Sequence, residues 1–294
     1  SGTTGTSGSS GVNGTSGTSG TTGTSGTSGR DVGSSAVIIL GAGTNSSVRC
    51  GVSNTASGAC SFAGGGELNT ASGIRGTIVG GYSNTASGNN SFIGAGISNI
   101  ACTSESVVGG GNTNTACGNY STVAGGRQNT ASGTYSTVGG GQNNRACTNS
   151  YSTVSGGYAN VASGYAAVIG GGFQNTASGE YSFIGSGRGI ISSGVKSVAV
   201  GGCYNTASAG YSFVGAGRAN CATNSYATVG GGYSNVASNA FAFIGGGRNN
   251  TSSGYISTIA GGDHNAASGT LSFIGGGDYH TANTNRATIA GGYN

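Results

Sequence analysis

The sequence predicts an all-β chain: a parallel β-solenoid of about 17 fifteen-residue rungs, preceded by an N-terminal collagen-like triple helix. Three observations carry that expectation. Glycine falls at every third position through residue 29, one fifteen-residue phrase recurs from Asn54 to the end, and the composition is far from that of a globular enzyme. Of 294 residues, 66 are Gly, none is Pro, Met or Trp, and 5% are charged; ordinary domains average about 7% Gly and about 25% charged residues. The one Lys and nine Arg are scattered singly, unlike the clustered basic face of a nucleic-acid binder. No apolar run approaches the roughly 18 residues that would cross a bilayer. Residue 1 is Ser with no basic-then-apolar leader behind it, which reads as a processed chain or a fragment.

Residues 1–29 form the first segment. Gly occupies positions 2, 5, 8, 11, 14, 17, 20, 23, 26 and 29, and Ser or Thr fills the places between, apart from Val12 and Asn13. A flexible Gly/Ser linker has no reason to hold phase over so many triplets. A collagen triple helix does, because only Gly fits at its crowded axis. The segment therefore reads as a stalk of three chains, with a disordered linker as the alternative. Lacking imino acids, it is expected to depend on an adjoining domain to hold its chains in register. Residues 30–43 are assigned to an adaptor, in which the apolar run Ala36-Val37-Ile38-Ile39-Leu40 would plug the base of a head formed by residues 44–294.

The head repeats Asn-Thr-Ala-Ser-Gly-x-Tyr-Ser-Thr/Phe-Val/Ile-Gly-Gly-Gly-x-x, numbered below as places 1 to 15. Copies start at residues 54, 69, 84, 99, 114, 129 and 144 and, after one extra residue, at 160, 175, 190, 205, 220, 235, 250, 265 and 280. A weaker copy precedes them around Thr44 to Ser53. Such short, fixed self-similarity marks a solenoid. Places 7 to 10 are rich in β-branched and aromatic residues and read as a strand; the Gly cluster reads as a turn; Asn-Thr-Ala-Ser-Gly reads as a second short strand or turn. In-register stacking at about 4.8 Å per rung gives a rod of roughly 80 Å.

Place 8 is always tiny and place 10 always Val, Ile or Ala, so the first faces a tight slot and the second an apolar one. Place 9 alternates Phe213, Thr228, Phe243, Thr258, Phe273, Thr288, a packing device in which Thr relieves the bulk of stacked rings. Asn opens every rung except those at Ile190 and His280, which predicts an amide ladder.

The Ser-x-Val/Ile-Gly strand preceded by a small Ala-x-Gly half-turn resembles the head repeat of trimeric autotransporter adhesins of the YadA type. Matching stretches are Ala71-Ser72-Gly73 with Gly76-Thr77-Ile78-Val79-Gly80, Ala131-Ser132-Gly133 with Ser136-Thr137-Val138-Gly139, Ser182-Phe183-Ile184-Gly185 and Ser272-Phe273-Ile274-Gly275. The resemblance covers about residues 36–294. It implies a left-handed parallel β-roll, three chains packed by their apolar faces around a common axis, and a role in adhesion or as a surface fibre. The period here is one residue longer than the family's usual one, and a collagen-like stalk stands where the family has a coiled coil, so membrane anchoring in the autotransporter manner is not implied. Phage and viral fibres and spore appendages are further expected settings.

Chemistry that would mark an enzyme is thin, and no catalytic residue, metal or cofactor is assigned. The cysteines, Cys50, Cys60, Cys102, Cys117, Cys147, Cys203 and Cys221, contain no CxxC pair. Cys102, Cys117 and Cys147 stand where Ser is usual and read as small buried residues, with a bond between neighbouring rungs such as Cys102 to Cys117 as the alternative. His264 and His280 read as solvent-facing. The six acidic residues are never adjacent in sequence, which leaves paired-carboxylate catalysis unsupported. Calcium-binding β-roll repeats need an Asp in each Gly-rich turn, and the phosphate-loop context is absent. The hexapeptide acyltransferase solenoids have the wrong period.

Two columns remain as candidate binding residues. Place 14 varies most and reads as an outward loop; it carries Arg188, Arg218 and Arg248, the last opposite Asp263 on the next rung. Place 7 carries Tyr120, Tyr135, Tyr151, Tyr181, Tyr211 and Tyr226, either a stacking platform for glycans or cross-rung packing. The expected partners are two further copies of the chain and a host-surface or glycan receptor, with no nucleic acid and no membrane insertion in this segment. The expected function is a non-enzymatic, collagen-stalked surface fibre outside a cell, spore or virion. A self-assembling extracellular filament subunit and an ice-binding solenoid are the alternatives; Phe interrupting the Thr column argues against the last.

Overall fold

The computed structural model describes residues 39–49, 51–147 and 149–293; the collagen-like segment and most of the adaptor lie outside them. Residues from Ala36 onward make one compact unit. Its described part is a parallel β-solenoid of about 16 turns with no helix. Each rung contributes a first strand at places 2 and 3, such as Thr70–Ala71, and a second at places 9 and 10, such as Thr77–Ile78. The first strands stack into a 16-stranded sheet and the second strands into an 18-stranded one. Every pairing is parallel and steps by one phrase, as Thr77↔Phe92 and Ile78↔Ile93. The exception is the opening pair, where Ile39–Leu40 runs antiparallel to Ser47–Val48. The extra residue of the rung opening at Asn144 is absorbed without loss of register, Thr137↔Thr153 and Arg145↔Val161 carrying the ladders across it.

Two differences from the sequence expectation share one cause. The strand does not span places 7 to 10, and place 14 is not a free loop. Places 7 and 15 lie in the left-handed region at every described rung, with φ between 50° and 65° in Arg75, Tyr120, Lys196, Ile256 and Leu271 among others. Positive φ reverses the direction of the amide. In the rung opening at Asn69, the N–H groups of Thr70, Ser72, Thr77, Val79 and Tyr82 donate to the following rung at 2.8–3.0 Å. Those of Arg75 and Ser83 instead donate to the preceding rung, to Ala59 O at 2.8 Å and Glu67 O at 2.9 Å. The left-handed conformation costs an L-residue about 1–2 kcal/mol, offset because each flip gives an otherwise orphaned amide its partner. Between the two flips, place 14 forms a third ladder of single bridges, from Val52↔Glu67 to Asp278↔Tyr293.

The interior is two apolar side chains wide. Ala at place 3 faces Val or Ile at place 10, and both are fully buried through most of the stack, as in Ala131 with Val138 and Ala237 with Ile244. Place 8 is also buried, in Ser121, Ser136 and Ala227, as its small residues predict. Where Ser replaces Ala at place 3 its hydroxyl is matched: Ser192 Oγ lies 2.7 Å from Ser197 Oγ, and Ser252 Oγ 2.6 Å from Ser257 Oγ. A buried hydroxyl without such a partner would be costly.

The Asn ladder is present and is more than a side-chain stack. Asn69 Oδ1 accepts the backbone N–H of Asn84 and its Nδ2, both at 3.0 Å. Asn69 Nδ2 donates to Gly65 O and to Gly81 O, each at 2.8 Å. One amide thus ties three rungs. His280 stands in this column with its side chain half-exposed: its backbone N–H donates to Asn265 Oδ1 at 2.9 Å, and its Nε2 lies 3.1 Å from Gly292 O. The imidazole replaces the amide because it too offers a nitrogen at that reach.

Cys102 and Cys117 form a disulfide between adjacent rungs, so the alternative reading of that pair holds. Cys147, two rungs on, is buried, in keeping with the small-residue reading. Cys221 lies within the first sheet, where burial pushes its thiol pKa up, opposed by a hydrogen bond with Thr206.

Candidate functional site

Because the interior is held to a few small or apolar residues, most of what distinguishes one rung from another points outward. Place 7 is the first such column. Its left-handed backbone turns the side chain away from the core, and parallel stacking sets like residues above one another. Tyr120, Tyr135 and Tyr151 stack with centroids 4.7 Å and 5.1 Å apart. Tyr165, which sits at place 6, meets Tyr151 and Tyr181 edge-on at 5.6 Å and 5.5 Å. Beyond Lys196, Tyr211 and Tyr226 resume the same column, stacked at 4.9 Å and continued by Phe241 at 4.8 Å. Lys196 Nζ lies 5.3 Å from the Tyr211 centroid. Within each stack the ring faces cover one another. What reaches solvent is a row of edges and phenol hydroxyls, so a sugar has ring faces to stack on only at the column ends.

Place 14 is the second column and carries the cations. Tyr158 and Phe173 stack at 5.0 Å. The Arg188 guanidinium lies 5.5 Å from the Phe173 centroid and 5.8 Å from that of Tyr204. Arg218 lies 5.9 Å from the Tyr233 centroid. Such contacts contribute about 0.5–1 kcal/mol at exposed sites and hold the guanidinium in place. Tyr204 reaches Arg188 because the residue beneath it is Gly189, where a Cβ would lie 2.7 Å from the ring. Place 15 holds a glycine nowhere else among the described residues.

Arg248 continues the column but is paired. Its Nε lies 3.1 Å from both carboxylate oxygens of Asp263, and its Nη2 forms a salt bridge with Oδ2. The hydrogen bond and charge of Asp263 raise the Arg248 pKa, and Arg248 in turn holds Asp263 below its ordinary value. Asp278 stacks on Asp263 through the bridge ladder, and His264 Nδ1 lies 2.8 Å from Asp263 Oδ1. The His264 ring stacks on Tyr279 at 4.6 Å rather than pointing freely to solvent. Asp263 and its neighbour His264, with Asp278 from the next rung, therefore bring ligand-type atoms within 4.8 Å of one another. Arg248 is clamped on Asp263, so that carboxylate is already paired.

The structure thus gathers Arg188, Arg218 and Arg248 on one column and the six predicted tyrosines on another. Tyr233 shares place 14 with the arginines in the sequence itself, and the structure adds Phe173 and Tyr204. The signal was present: Arg188, Arg218 and Arg248 recur at 30 residues, in the same rungs as Phe183, Phe213 and Phe243. Those rings sit on the outer face of the second sheet and are about two-fifths exposed.

The ubiquitous surface protein adhesin repeat matches residues 152–164 and 257–269. Both stretches run from place 8 of one rung to place 5 of the next, so each spans a second strand, the bridge at place 14, the Asn ladder and a first strand. No curated protein matches the chain. The β-solenoid and these matched repeats fit the head repeat of YadA-type trimeric autotransporter adhesins, and this chain carries repeats of that kind.

Proposed function

We propose that the chain is a non-enzymatic adhesive fibre of an extracellular surface, working as a homotrimer whose collagen-like residues 1–29 form the stalk and whose solenoid forms the head. The observation that carries this is the division of labour along the stack. Places 3, 8 and 10 hold one interior through every described rung, while places 7, 14 and 15 change. A scaffold that spends its sequence variation on outward columns presents surface. The matched adhesin repeat supports the same reading.

The trimer contact proposed is the outer face of the second sheet. Phe183, Phe213, Phe243 and Phe273 recur there every second rung, exposed, with Thr or Val between. A continuous apolar face of this length is what chains pack together. Light scattering on the full chain is expected to give three times 27.8 kDa. Changing Phe213, Phe243 and Phe273 together to Ser is expected to lower the mass of a still folded head. A one-chain mass for the unsubstituted protein would overturn the trimer. Failure of beads coated with the chain to hold to any cell or matrix surface would overturn the adhesive role.

A further inference from the structure

We infer that the place 14 column from Tyr158 to Tyr233 is a binding track for a linear acidic polysaccharide lying parallel to the solenoid axis. This rests on the adhesive reading and names its ligand class. Arg188 and Arg218 are joined through Cys203 by successive single-residue bridges, so they stand two rungs apart, roughly 9.5 Å at the usual strand spacing. An extended chain of pyranose rings advances by close to one rung per ring. An acidic group on every second sugar then meets an arginine on every second rung.

The surroundings fit that occupant. Phe173, Tyr204 and Tyr233 lie between and beside the guanidinium groups and stay 38%, 49% and 45% exposed, offering apolar surface to the C–H faces of sugars. Arginine forms bidentate hydrogen bonds with carboxylate and sulfate, and the ring contacts hold Arg188 and Arg218 ready for them. Arg248 falls in the same register, but Asp263 neutralises it, and Asp278 follows. The track therefore has a defined end where the column turns acidic. A nucleic acid fits less well: duplex DNA carries a phosphate about every 3.4 Å along each strand, far denser than one cation per two rungs.

The test is titration calorimetry of the full chain with a size-defined heparin oligosaccharide, a neutral cello-oligosaccharide of equal length and a short single-stranded DNA. Heparin is expected to bind with an affinity that falls as salt rises, and the neutral chain to bind negligibly. Arg188→Gln with Arg218→Gln is expected to weaken heparin binding about tenfold, since two exposed ionic contacts are removed. Arg75→Gln with Arg286→Gln removes the same charge elsewhere on the exposed surface and is expected to leave binding within about twofold. Circular dichroism checks that each variant is folded. Unchanged affinity in Arg188→Gln/Arg218→Gln, equal binding of the neutral chain, or tighter binding of DNA would each overturn the track. Bead adhesion separates the two readings. Adhesion that survives enzymatic removal of acidic glycans keeps the adhesive role and overturns the track, whereas heparin binding lost in the double variant, without bead adhesion, supports the track and overturns the role.

Discussion

Replacing Asn220 with Ala should loosen the stack at one identifiable amide. Asn220 is fully buried. Its Nδ2 donates to Ala216 O and Gly232 O, both at 2.9 Å, and its Oδ1 accepts from Asn235 N at 3.0 Å and Asn235 Nδ2 at 3.2 Å. Each net hydrogen bond contributes about 1 kcal/mol, and a buried N–H left without a partner costs about 1–3 kcal/mol. The sum is about 3–5 kcal/mol, concentrated between the rungs of Asn220 and Asn235. Solenoids open locally, so a global melting curve is the wrong instrument. Native-state hydrogen exchange reads the loss directly: the Asn235 amide should exchange at least about 100-fold faster, at about 1.4 kcal/mol per tenfold. The chain carries its own control. Ile190 takes Asn175 Oδ1 on its N–H at 2.9 Å but has no acceptor to offer Asn205, so the Asn205 amide should exchange faster than those of Asn220 and Asn250 in the unsubstituted protein. Equal exchange at Asn205 and Asn220, or an Asn235 amide unaffected by the substitution, would refute the account of the ladder.

Gly217→Ala should destabilise by about 2–4 kcal/mol, because φ is 93° and a Cβ would sit 2.1 Å from Gly232 O; Gly246→Ala, with nothing within 4 Å, should change the urea midpoint little. Reducing the Cys102–Cys117 bond, which closes a separation of 15 residues, should cost up to about 3 kcal/mol in the unfolded-state entropy account; identical exchange protection around both rungs with and without reductant would contradict it. Arg248 depresses the Asp263 pKa, so the pair's contribution is present above the ordinary carboxylate value and lost as pH falls through the lower folded one. A carboxyl-carbon titration should place Asp263 below a peptide Asp, and Arg248→Gln should return it upward.

Much of the solenoid was legible because a periodic sequence stacked in register makes residues one phrase apart into neighbours. The Asn column, the tight place 8, the apolar place 10 and the Cys102–Cys117 contact all follow from that single fact. Legibility stopped where the backbone overrides residue preference. Nothing about Tyr120, Ile256 or Lys196 announces a left-handed backbone, since such side chains disfavour it locally. The candidate columns were visible as residue lists, but not as surfaces: the tyrosine faces close on one another, and Tyr204 joins Arg188 only because Gly189 leaves room.

The sequence by itself determined the period, the parallel in-register stack and the inward-facing places 8 and 10, because repetition leaves the rungs no other way to bury them; the burial of place 3 came from the structure. Tertiary structure alone decided the direction of each amide, the third ladder at place 14, and which outward side chains share a column. Those depend on hydrogen bonds between rungs, whose partners exist only once the neighbouring rung is in place.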